Sequence, residues 1–322
     1  MNRNAFALLL ASAMLASCSS MSSPLPRGAK ATDHGLIGAG EGPAWKNGSL
    51  YFTDGRHINR LDPDGRTRVF RDGARAHSSN GLMFDREGRL IACESGARRV
   101  TRTEKDGSLT VLADRYQGRR FNNTNDLSMD SKGRIYFTDP RYGPRDNMEI
   151  RDDSGKFVEG VYRIDAPGKV TLLNTPGIER PNGILVSPGD EFLYLCDNNN
   201  NNHGGARRLV RFRLNADGTV DPATRKVLFD WRDSRGPDGM KMDAAGRLYI
   251  AAGVNKPNDY ETTRFKAGCY ILSPAGRLLD FVPTAPDEAC NCAFGGADGK
   301  TLFITSGNHL WSIPVNTPGM KR

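Results

Sequence analysis

Six oxygen-bearing side chains open six similar stretches of this 322-residue chain: Glu41, Asn80, Asn125, Asn182, Asp238 and Asn291. None of the six positions holds Lys or Arg. Carboxylate and amide oxygens are the hard ligands that Ca²⁺ prefers, with water completing a shell of about six to eight ligands. The two carboxylates match the charge of a divalent cation. If the fold gathers these residues on one axis, their chemistry predicts a Ca²⁺-type site, with other divalent cations as alternatives.

A different interpretation of the same residues needs no metal. Asn-Gly, Asn-Asp and Asp-Gly are ordinary turn dipeptides that often precede strands, so Asn in four of six copies is compatible with a loop habit alone. Glu41 does not fit that interpretation, because Glu is a poor turn former. We therefore favour the metal-site interpretation over the turn interpretation. The reason is the type of ligand that these residues offer, not their spacing.

The stretch that positions each candidate residue is a hairpin. Residues 125–139 show it fully: a short apolar strand, a Gly turn, and a second strand of β-branched and aromatic residues that ends in an acid. The six starts are 39, 45, 57, 56 and 53 residues apart, by subtraction of their positions. A repeat of about 40 to 50 residues with several short strands is typical of a β-propeller. The sequence predicts an all-β, six-bladed propeller with four antiparallel strands per blade, in a single domain over residues 31–322.

The last repeat lacks a fourth strand, because the chain ends soon after residue 314. An unpaired edge there would promote aggregation, so the ring needs a strand from elsewhere. We expect residues 32–37, ahead of the first repeat, to complete blade six. The loops between the second and third strands are long in blades three, four and five, at residues 139–159, 197–206 and 252–266. All three loops are expected to lie on the face of the propeller where the repeats begin. We expect them to form the walls of a pocket over the central channel.

The N-terminus has the pattern of an export signal. A weakly basic start, a short apolar stretch and small residues lead to Leu15-Ala16-Ser17-Cys18, which is similar to the lipobox of bacterial lipoproteins. The alternative is a plain signal peptide with an incidental Cys. We predict a signal over residues 1–18 and a Ser/Pro-rich tether over residues 19–30. The protein would then be exported to the periplasm and held to a membrane by a lipid on Cys18.

Cysteines and charge restrict the function further. Five cysteines follow Cys18, so at most two disulfides form, and the sequence does not assign their pairing. Cys290-x-Cys292 suggests metal binding only weakly, since no second Cys/His pair has zinc spacing. The net charge is +8, but the basic residues are scattered rather than clustered with aromatics, which argues against a nucleic-acid partner.

Several motifs in one order resemble the senescence marker protein/gluconolactonase family, also called regucalcin-like. The resemblance spans about residues 33 to 314 and rests on Glu41-Gly42-Pro43, Asn125-Asp126-Leu127, Tyr136-Phe137-Thr138-Asp139-Pro140, Gly160-Val161-Tyr162-Arg163, Arg180-Pro181-Asn182-Gly183 and Pro237-Asp238-Gly239. It implies a six-bladed propeller with a Ca²⁺-type metal on the axis. The implied direct ligands are Glu41, Asn182 and Asp238. Asn125 falls on a family residue that contacts substrate or metal-bound water.

The resemblance implies a hydrolase that opens sugar lactones such as gluconolactone. In such an enzyme a metal polarises the lactone carbonyl, and either Asp238 as general base or a metal-bound hydroxide provides the nucleophile. The strand arrangement places Asn122 near the same face, and we predict that it contacts the substrate together with Asn125. Animal members carry Arg two residues before the blade-three Asn, whereas this chain has Asn123, so its preferred lactone is left open.

Two other functions fit the same residues. Propellers that resemble this family also hydrolyse organophosphates, so a promiscuous lactonase and organophosphate hydrolase is one alternative. The other is a ligand-binding propeller without catalysis, in which the metal is purely structural.

Overall fold

The computed structural model describes residues 22–72, 78–285 and 287–321. The predicted signal, Cys18 and the first part of the predicted tether lie outside these residues. Within the described ranges, no helix has the length and apolar character needed to cross a membrane.

Strands dominate the described chain, with one short 3-10 turn at Pro188–Asp190. The first strands are β1 (Thr32–Leu36), β2 (Glu41–Lys46), β3 (Ser49–Thr53), β4 (Ile58–Leu61), β5 (Thr67–Arg71), β6 (Ser79–Phe84), β7 (Leu90–Glu94), β8 (Arg99–Thr103), β9 (Leu109–Ala113), β10 (Arg115–Tyr116), β11 (Arg119–Arg120), β12 (Leu127–Met129) and β13 (Ile135–Asp139). The remaining strands are β14 (Gly160–Ala166), β15 (Lys169–Leu172), β16 (Pro181–Val186), β17 (Phe192–Asn198), β18 (Arg207–Leu214), β19 (Val220–Asp230), β20 (Pro237–Met242), β21 (Leu248–Ala252), β22 (Gly268–Leu272), β23 (Leu278–Pro283), β24 (Ala289–Gly295), β25 (Thr301–Ser306) and β26 (His309–Pro314).

The described strands form six four-stranded antiparallel sheets and one small hairpin, β10–β11. Blades one to five follow chain order: β2 to β5, β6 to β9, β12 to β15, β16 to β19 and β20 to β23. The first strands of neighbouring blades contact one another around a closed ring. All six residues of β16 are buried, whereas most of the outer strand β5 is exposed. This gradient confirms the six-bladed propeller, with the first strand of each blade on the channel.

Blade six is completed from the N-terminus, as predicted. Its strand order is β1-β26-β25-β24, and β1 pairs antiparallel with β26 through Thr32↔Ser312, Asp33↔Trp311 and Leu36↔His309. The Nδ1 atom of His309 lies 3.0 Å from the Asp33 carboxylate and adds a side-chain hydrogen bond to this pairing. The ring is therefore closed by hydrogen bonds between the two ends of the propeller rather than by a covalent link.

Residues 22–31, which include the second half of the predicted tether, lie against blades five and six. Arg247 Nη1 donates a hydrogen bond to the Ser22 carbonyl at 2.7 Å, and Asn316 N donates to the Pro24 carbonyl at 2.9 Å. The Leu25 side chain packs on the apolar core between these blades. The chain therefore reaches β1 along the outside of the propeller.

The three long insertions have the predicted positions, between β13 and β14, β17 and β18, and β21 and β22. Each one contacts a segment near the opening of a neighbouring repeat. Tyr142 Oη hydrogen-bonds Asn182, Asn200 Oδ1 accepts from Gly236 N, and Asn255 N donates to the Asp287 carboxylate. These contacts confirm that the insertions lie on the face where the repeats begin.

Candidate metal centre

Five of the six opening residues lie inside channel strands rather than in turns, and the sixth, Asn125, lies two residues before β12. In five of the six first strands of the blades, the pairing with the second strand shifts register next to the opening residue, as between Glu41 and Ala44 or Pro237 and Met240. Such an irregularity bends the strand and interrupts the strict alternation of its side chains. It allows neighbouring positions near the channel mouth to face the same space.

The glycine after the opening residue has a packing role. A Cβ atom on Gly183 would lie 2.1 Å from the Asp238 carbonyl oxygen, and one on Gly239 would lie 2.0 Å from Asn291 Cγ. A Cβ on Gly42 would lie 2.1 Å from the Asn80 carbonyl oxygen. Adjacent channel strands approach one another too closely for any side chain there. The Asn-Gly and Asp-Gly pairs therefore mark this close approach, and the turn interpretation does not apply to them.

Two carboxylates and a thiol meet at the channel mouth. One potential ligand atom from each of Glu41, Asp238 and Cys290 lies within 4.8 Å of the other two. Asn291 Nδ2 donates to Glu41 Oε2 at 3.4 Å, and the Asn291 Oδ1 accepts the Cys292 backbone N–H at 2.9 Å. The residues come from blades one, five and six, so this cluster exists only in the closed ring.

Burial and mutual repulsion raise the pKa values of the clustered carboxyls. Burial raises the pKa of Glu41 well above its ordinary value, and the negative charges of Asp238 and Asp126 raise it further. Burial likewise raises the pKa of Asp238 to about 8, with Asp126 adding to the rise and Arg235 opposing it. The Arg235 guanidinium is shared, since Nε and Nη2 both donate to the Glu261 carboxylate at 2.7 Å. Without a cation, the two carboxyls therefore ionise less readily than free carboxyls do.

Asn182 supplies an unpartnered acceptor beside these acids. Asn182 is 3% exposed, and its side chain lies near enough to Asp238 to lower the pKa of that carboxyl. Its Nδ2 donates to Tyr142 Oη at 2.9 Å, while its buried Oδ1 has no hydrogen-bond partner among the described residues. A buried carbonyl oxygen without a partner is costly, and a cation would satisfy it. The predicted ligands Glu41, Asn182 and Asp238 are thus brought together, and their donors fit a divalent metal.

The two predicted substrate residues have different surroundings. Asn125 lies on the channel ring, where its backbone N–H donates to the Thr138 carbonyl and its carbonyl accepts from Gly81, both at 2.8 Å. The Asn122 Nδ2 donates to the carbonyls of Asp139 at 3.1 Å and Val158 at 2.8 Å. Asn122 therefore fastens both ends of the blade-three insertion. No hydrogen bond among the described residues joins its side chain to the carboxylate cluster.

The acids that close the second strands are structural. Asp139 accepts the Asn122 backbone N–H at 2.7 and 2.8 Å, and Asp197 accepts those of Glu179 and Arg180 at 3.0 and 2.9 Å. Burial raises the pKa of Asp139 to about 8 and that of Asp197 to about 6. Each acid holds the segment that leads into a channel strand.

Tyr142, Asp126 and Cys290 are site residues that sequence reasoning missed. Tyr142 is in an insertion whose conformation no repeat pattern predicts. Asp126 and Cys292 stand where the other four repeats have Gly after the opening residue, and this departure was a usable signal for Asp126. In sequence, Cys290 shows only as half of a Cys-x-Cys pair. Its real neighbours, Glu41 and Asp238, are far away in sequence.

Comparison with known proteins gives the family. The protein-family model named SMP-30/gluconolactonase/LRE-like region matches residues 39–308 of this chain. The chain belongs to this family. A gluconolactonase of Zymomonas mobilis is 30% identical over 301 residues, which cover 87% of this chain and 79% of that protein. A 6-deoxy-6-sulfogluconolactonase of Pseudomonas putida is 29% identical over 83% of this chain and 82% of that protein.

Solved structures of the family support the same assignment. A gluconolactonase of Xanthomonas campestris superposes with a TM-score of 0.73 at 29% identity, covering 92% of this chain and 93% of that one. A calcium-binding regucalcin of Agrobacterium tumefaciens has a TM-score of 0.69 over 93% of this chain and 98% of its own length. At 19% sequence identity, this superposition shows a shared fold alone. The family resemblance of the sequence motifs is confirmed.

Proposed function

We propose that this protein is a metal-dependent hydrolase that opens sugar lactones. The observation that carries the proposal is the meeting of Glu41, Asp238 and the unpartnered Asn182 Oδ1 at the channel mouth. Relatives named gluconolactonase, 6-deoxy-6-sulfogluconolactonase and pentonolactonase support the substrate class. The substrates in these names are all lactones, that is, cyclic esters, of sugar acids that carry several hydroxyl groups.

Glu41, Asn182 and Asp238 would hold the metal, and their three oxygens suit Ca²⁺. When bound, the metal supplies a Lewis acid that polarises the lactone carbonyl and stabilises the charge that develops on its oxygen. Asn291, which donates to Glu41, orients one of these carboxylates. Tyr142, which accepts from Asn182 Nδ2, keeps the Asn182 carbonyl oxygen free for the metal.

We assign the proton transfer to Asp238. In the proposed reaction its carboxylate accepts a proton from water while the water oxygen attacks the lactone carbonyl carbon. The ring C–O bond then breaks, and the proton passes to the leaving ring oxygen, which becomes a hydroxyl of the open hydroxy acid. Arg235 and Asn182 stabilise the charged form of Asp238, which is the form that acts as the base.

Asn125 and the blade-three insertion would orient the sugar hydroxyls. The Arg141 guanidinium donates through Nη1 to Asn123 Oδ1 at 2.8 Å. It thereby places a cation beside the position where the animal members of the family have Arg. Arg141 is partly exposed, so it retains donors that can bind substrate hydroxyls.

A substrate panel tests the proposal. We expect metal-loaded protein to hydrolyse an aldonolactone, a chelator to abolish turnover, and added Ca²⁺ to restore it. Asp238→Asn and Asn182→Ala should each reduce kcat/KM by about a hundredfold or more. Hydrolysis of phosphotriesters alone would contradict the proposed substrate class. Chelation that lowers the melting temperature, with no hydrolysis of any substrate, would identify a scaffold with a structural metal instead.

We also propose that the protein is exported and lipid-anchored through Cys18. The support is the lipobox-like Leu15-Ala16-Ser17-Cys18 and the Ser/Pro-rich residues that follow. Metabolic labelling with a radioactive fatty acid should label the wild type and not Cys18→Ser. Equal labelling of both proteins, or none of either, would reject the anchor.

A further inference from the structure

A thiol is part of the acidic cluster at the channel mouth. The Cys290 Sγ lies within 4.8 Å of one carboxylate oxygen from Glu41 and of one from Asp238. Cys290 immediately precedes Asn291, the residue that opens blade six. Among the described residues, these three form the one group of three or more His, Cys, Asp or Glu side chains with this spacing.

The irregularity in β24 separates this thiol from its neighbour in sequence. The pairing of β24 with β25 shifts between Ala289 and Asn291, so positions 290 and 292 do not share one surface of a regular strand. Cys292 is fully buried in the core between blades five and six, and its Sγ donates to the Tyr249 carbonyl at 3.4 Å. Cys290 is partly exposed, and its Sγ donates to the Glu288 carbonyl at 3.3 Å.

Two further buried atoms beside the cluster await a partner. Asn182 is 3% exposed and Asp126 is 1% exposed, yet Asn182 Oδ1 and Asp126 Oδ2 have no hydrogen-bond partner among the described residues. The Asn182 side chain reaches Asp238, and the charge of Asp126 acts on both Glu41 and Asp238. The Asn182 side chain and the Cys290 thiol therefore both lie beside the Asp238 carboxylate.

We propose that Cys290 is a metal ligand, so that the cluster binds thiophilic divalent cations such as Zn²⁺ more tightly than Ca²⁺. The inference rests on the metal site of the proposed function and adds a sulfur to its oxygen donors. Ligands around a tetrahedral Zn²⁺ are about 3.5 Å apart, given Zn–S and Zn–O distances of about 2.3 and 2.1 Å. Small side-chain shifts bring Glu41, Asp238 and Cys290 to that spacing. The thiol loses its proton to solvent as the metal–sulfur bond forms.

Calorimetric titration with Zn²⁺ and with Ca²⁺ separately, on metal-free protein, tests the inference. The Cys290→Ser variant keeps a group that can donate to the Glu288 carbonyl but removes the sulfur. We expect it to weaken Zn²⁺ binding by about tenfold or more and to change Ca²⁺ binding by less than about twofold. The Co²⁺-loaded wild type should show a sulfur-to-cobalt charge-transfer band that Cys290→Ser lacks.

Cys292→Ala is the matched control, two residues along the same strand, and should retain both the Zn²⁺ affinity and the band. If it does not fold, Cys93→Ala, in the core between blades two and three, replaces it. Unchanged Zn²⁺ affinity in Cys290→Ser, or a cobalt band that persists in it, overturns the inference. These readouts do not involve lactone hydrolysis, so an inactive protein with a Cys290-dependent band would reject the proposed function and keep this inference.

Discussion

Asn182 Nδ2 donates a hydrogen bond to Tyr142 Oη at 2.9 Å, and this bond fixes which end of the amide faces the acids. Tyr142 Oη in turn donates to the Asn198 carbonyl at 3.3 Å. The ring of Tyr142 lies 5.2 Å from the Arg180 guanidinium, which pairs with Glu159 at 2.9 Å. The blade-three insertion thus orients the Asn182 side chain, which belongs to blade four.

We predict that Tyr142→Phe weakens metal binding by about tenfold, because the amide of Asn182 loses the partner that orients it. Titration calorimetry with Ca²⁺ measures the change. Tyr260→Phe, on the exposed blade-five insertion, is the matched control and should bind as the wild type does. Equal affinity of Tyr142→Phe and wild type would show that the hydrogen bond does not orient Asn182.

The metal-free protein should lose stability as the pH rises from about 4 to about 8. The pKa of Asp238 is raised from its ordinary value of 3.8 to about 8, so the folded state holds a proton that the unfolded state has released. The stabilisation from that proton is complete at low pH and is lost as the pH rises through the folded value. Melting temperatures in chelator across this range should fall by several degrees.

Asp238→Asn should make this pH dependence shallower, because the amide does not ionise, while the buried Asp139 and Asp197 keep their own contributions. Asp259→Asn, at an exposed position of the blade-five insertion, should keep the wild-type profile. Saturating divalent cation should also flatten the wild-type curve, since the bound charge compensates ionised carboxylates. A steep fall that persists in Asp238→Asn would assign it to other buried acids, such as Asp139.

Gly183→Ala should destabilise the protein by about 3 kcal/mol, because the new methyl group would overlap the Asp238 backbone. The Cβ position lies 2.1 Å from the Asp238 carbonyl oxygen. Gly133→Ala is the control for a glycine substitution, since Gly133 has a φ of 80° and open space around its Cβ position. It should lose only about 1 kcal/mol, from backbone strain. Denaturant unfolding compares the two, and equal losses would refute close packing at Gly183.

A chain that begins at residue 38 should lose the fourth strand of blade six and expose the edge of β26. We expect a lower melting temperature and self-association on size-exclusion chromatography, since an unpaired edge strand is a template for pairing. A chain that begins at residue 22 keeps β1 and serves as the control. A monomeric truncated protein with an unchanged melting temperature would show that β1 does not close the ring.

The repeat pattern was enough to predict the propeller, because each hairpin carries its own signals in local sequence. The closing strand was predictable as well, since three strands in blade six require a fourth. The candidate ligands Glu41, Asn182 and Asp238 stay a prediction, and it comes from the repeat and the family motifs together. Glu41 and Asp238, for example, occupy the same position at the start of their repeats, and that position can be counted along the chain.

The rest of the site depends on contacts between blades and loops. Tyr142 belongs to an insertion without a repeat, so no periodicity indicates that its hydroxyl reaches Asn182. Cys290 reaches the acids through an irregularity in β24, and a regular strand would have placed it on the same surface as Cys292. Asn122 shares the predicted face, but its amide is used to hold backbone carbonyls.

The contact of Glu41 with Asn291 and Cys290 joins blade one to blade six. An ion held by Glu41 and Cys290 would therefore bridge residues 249 positions apart, by subtraction of their numbers. Glu41 belongs to blade one and Cys290 to blade six, so a folding chain has no complete cluster until blade six packs against blade one. Metal uptake would then act as a signal of completed assembly, and proteolysis anywhere in the ring that opened this junction would release the ion.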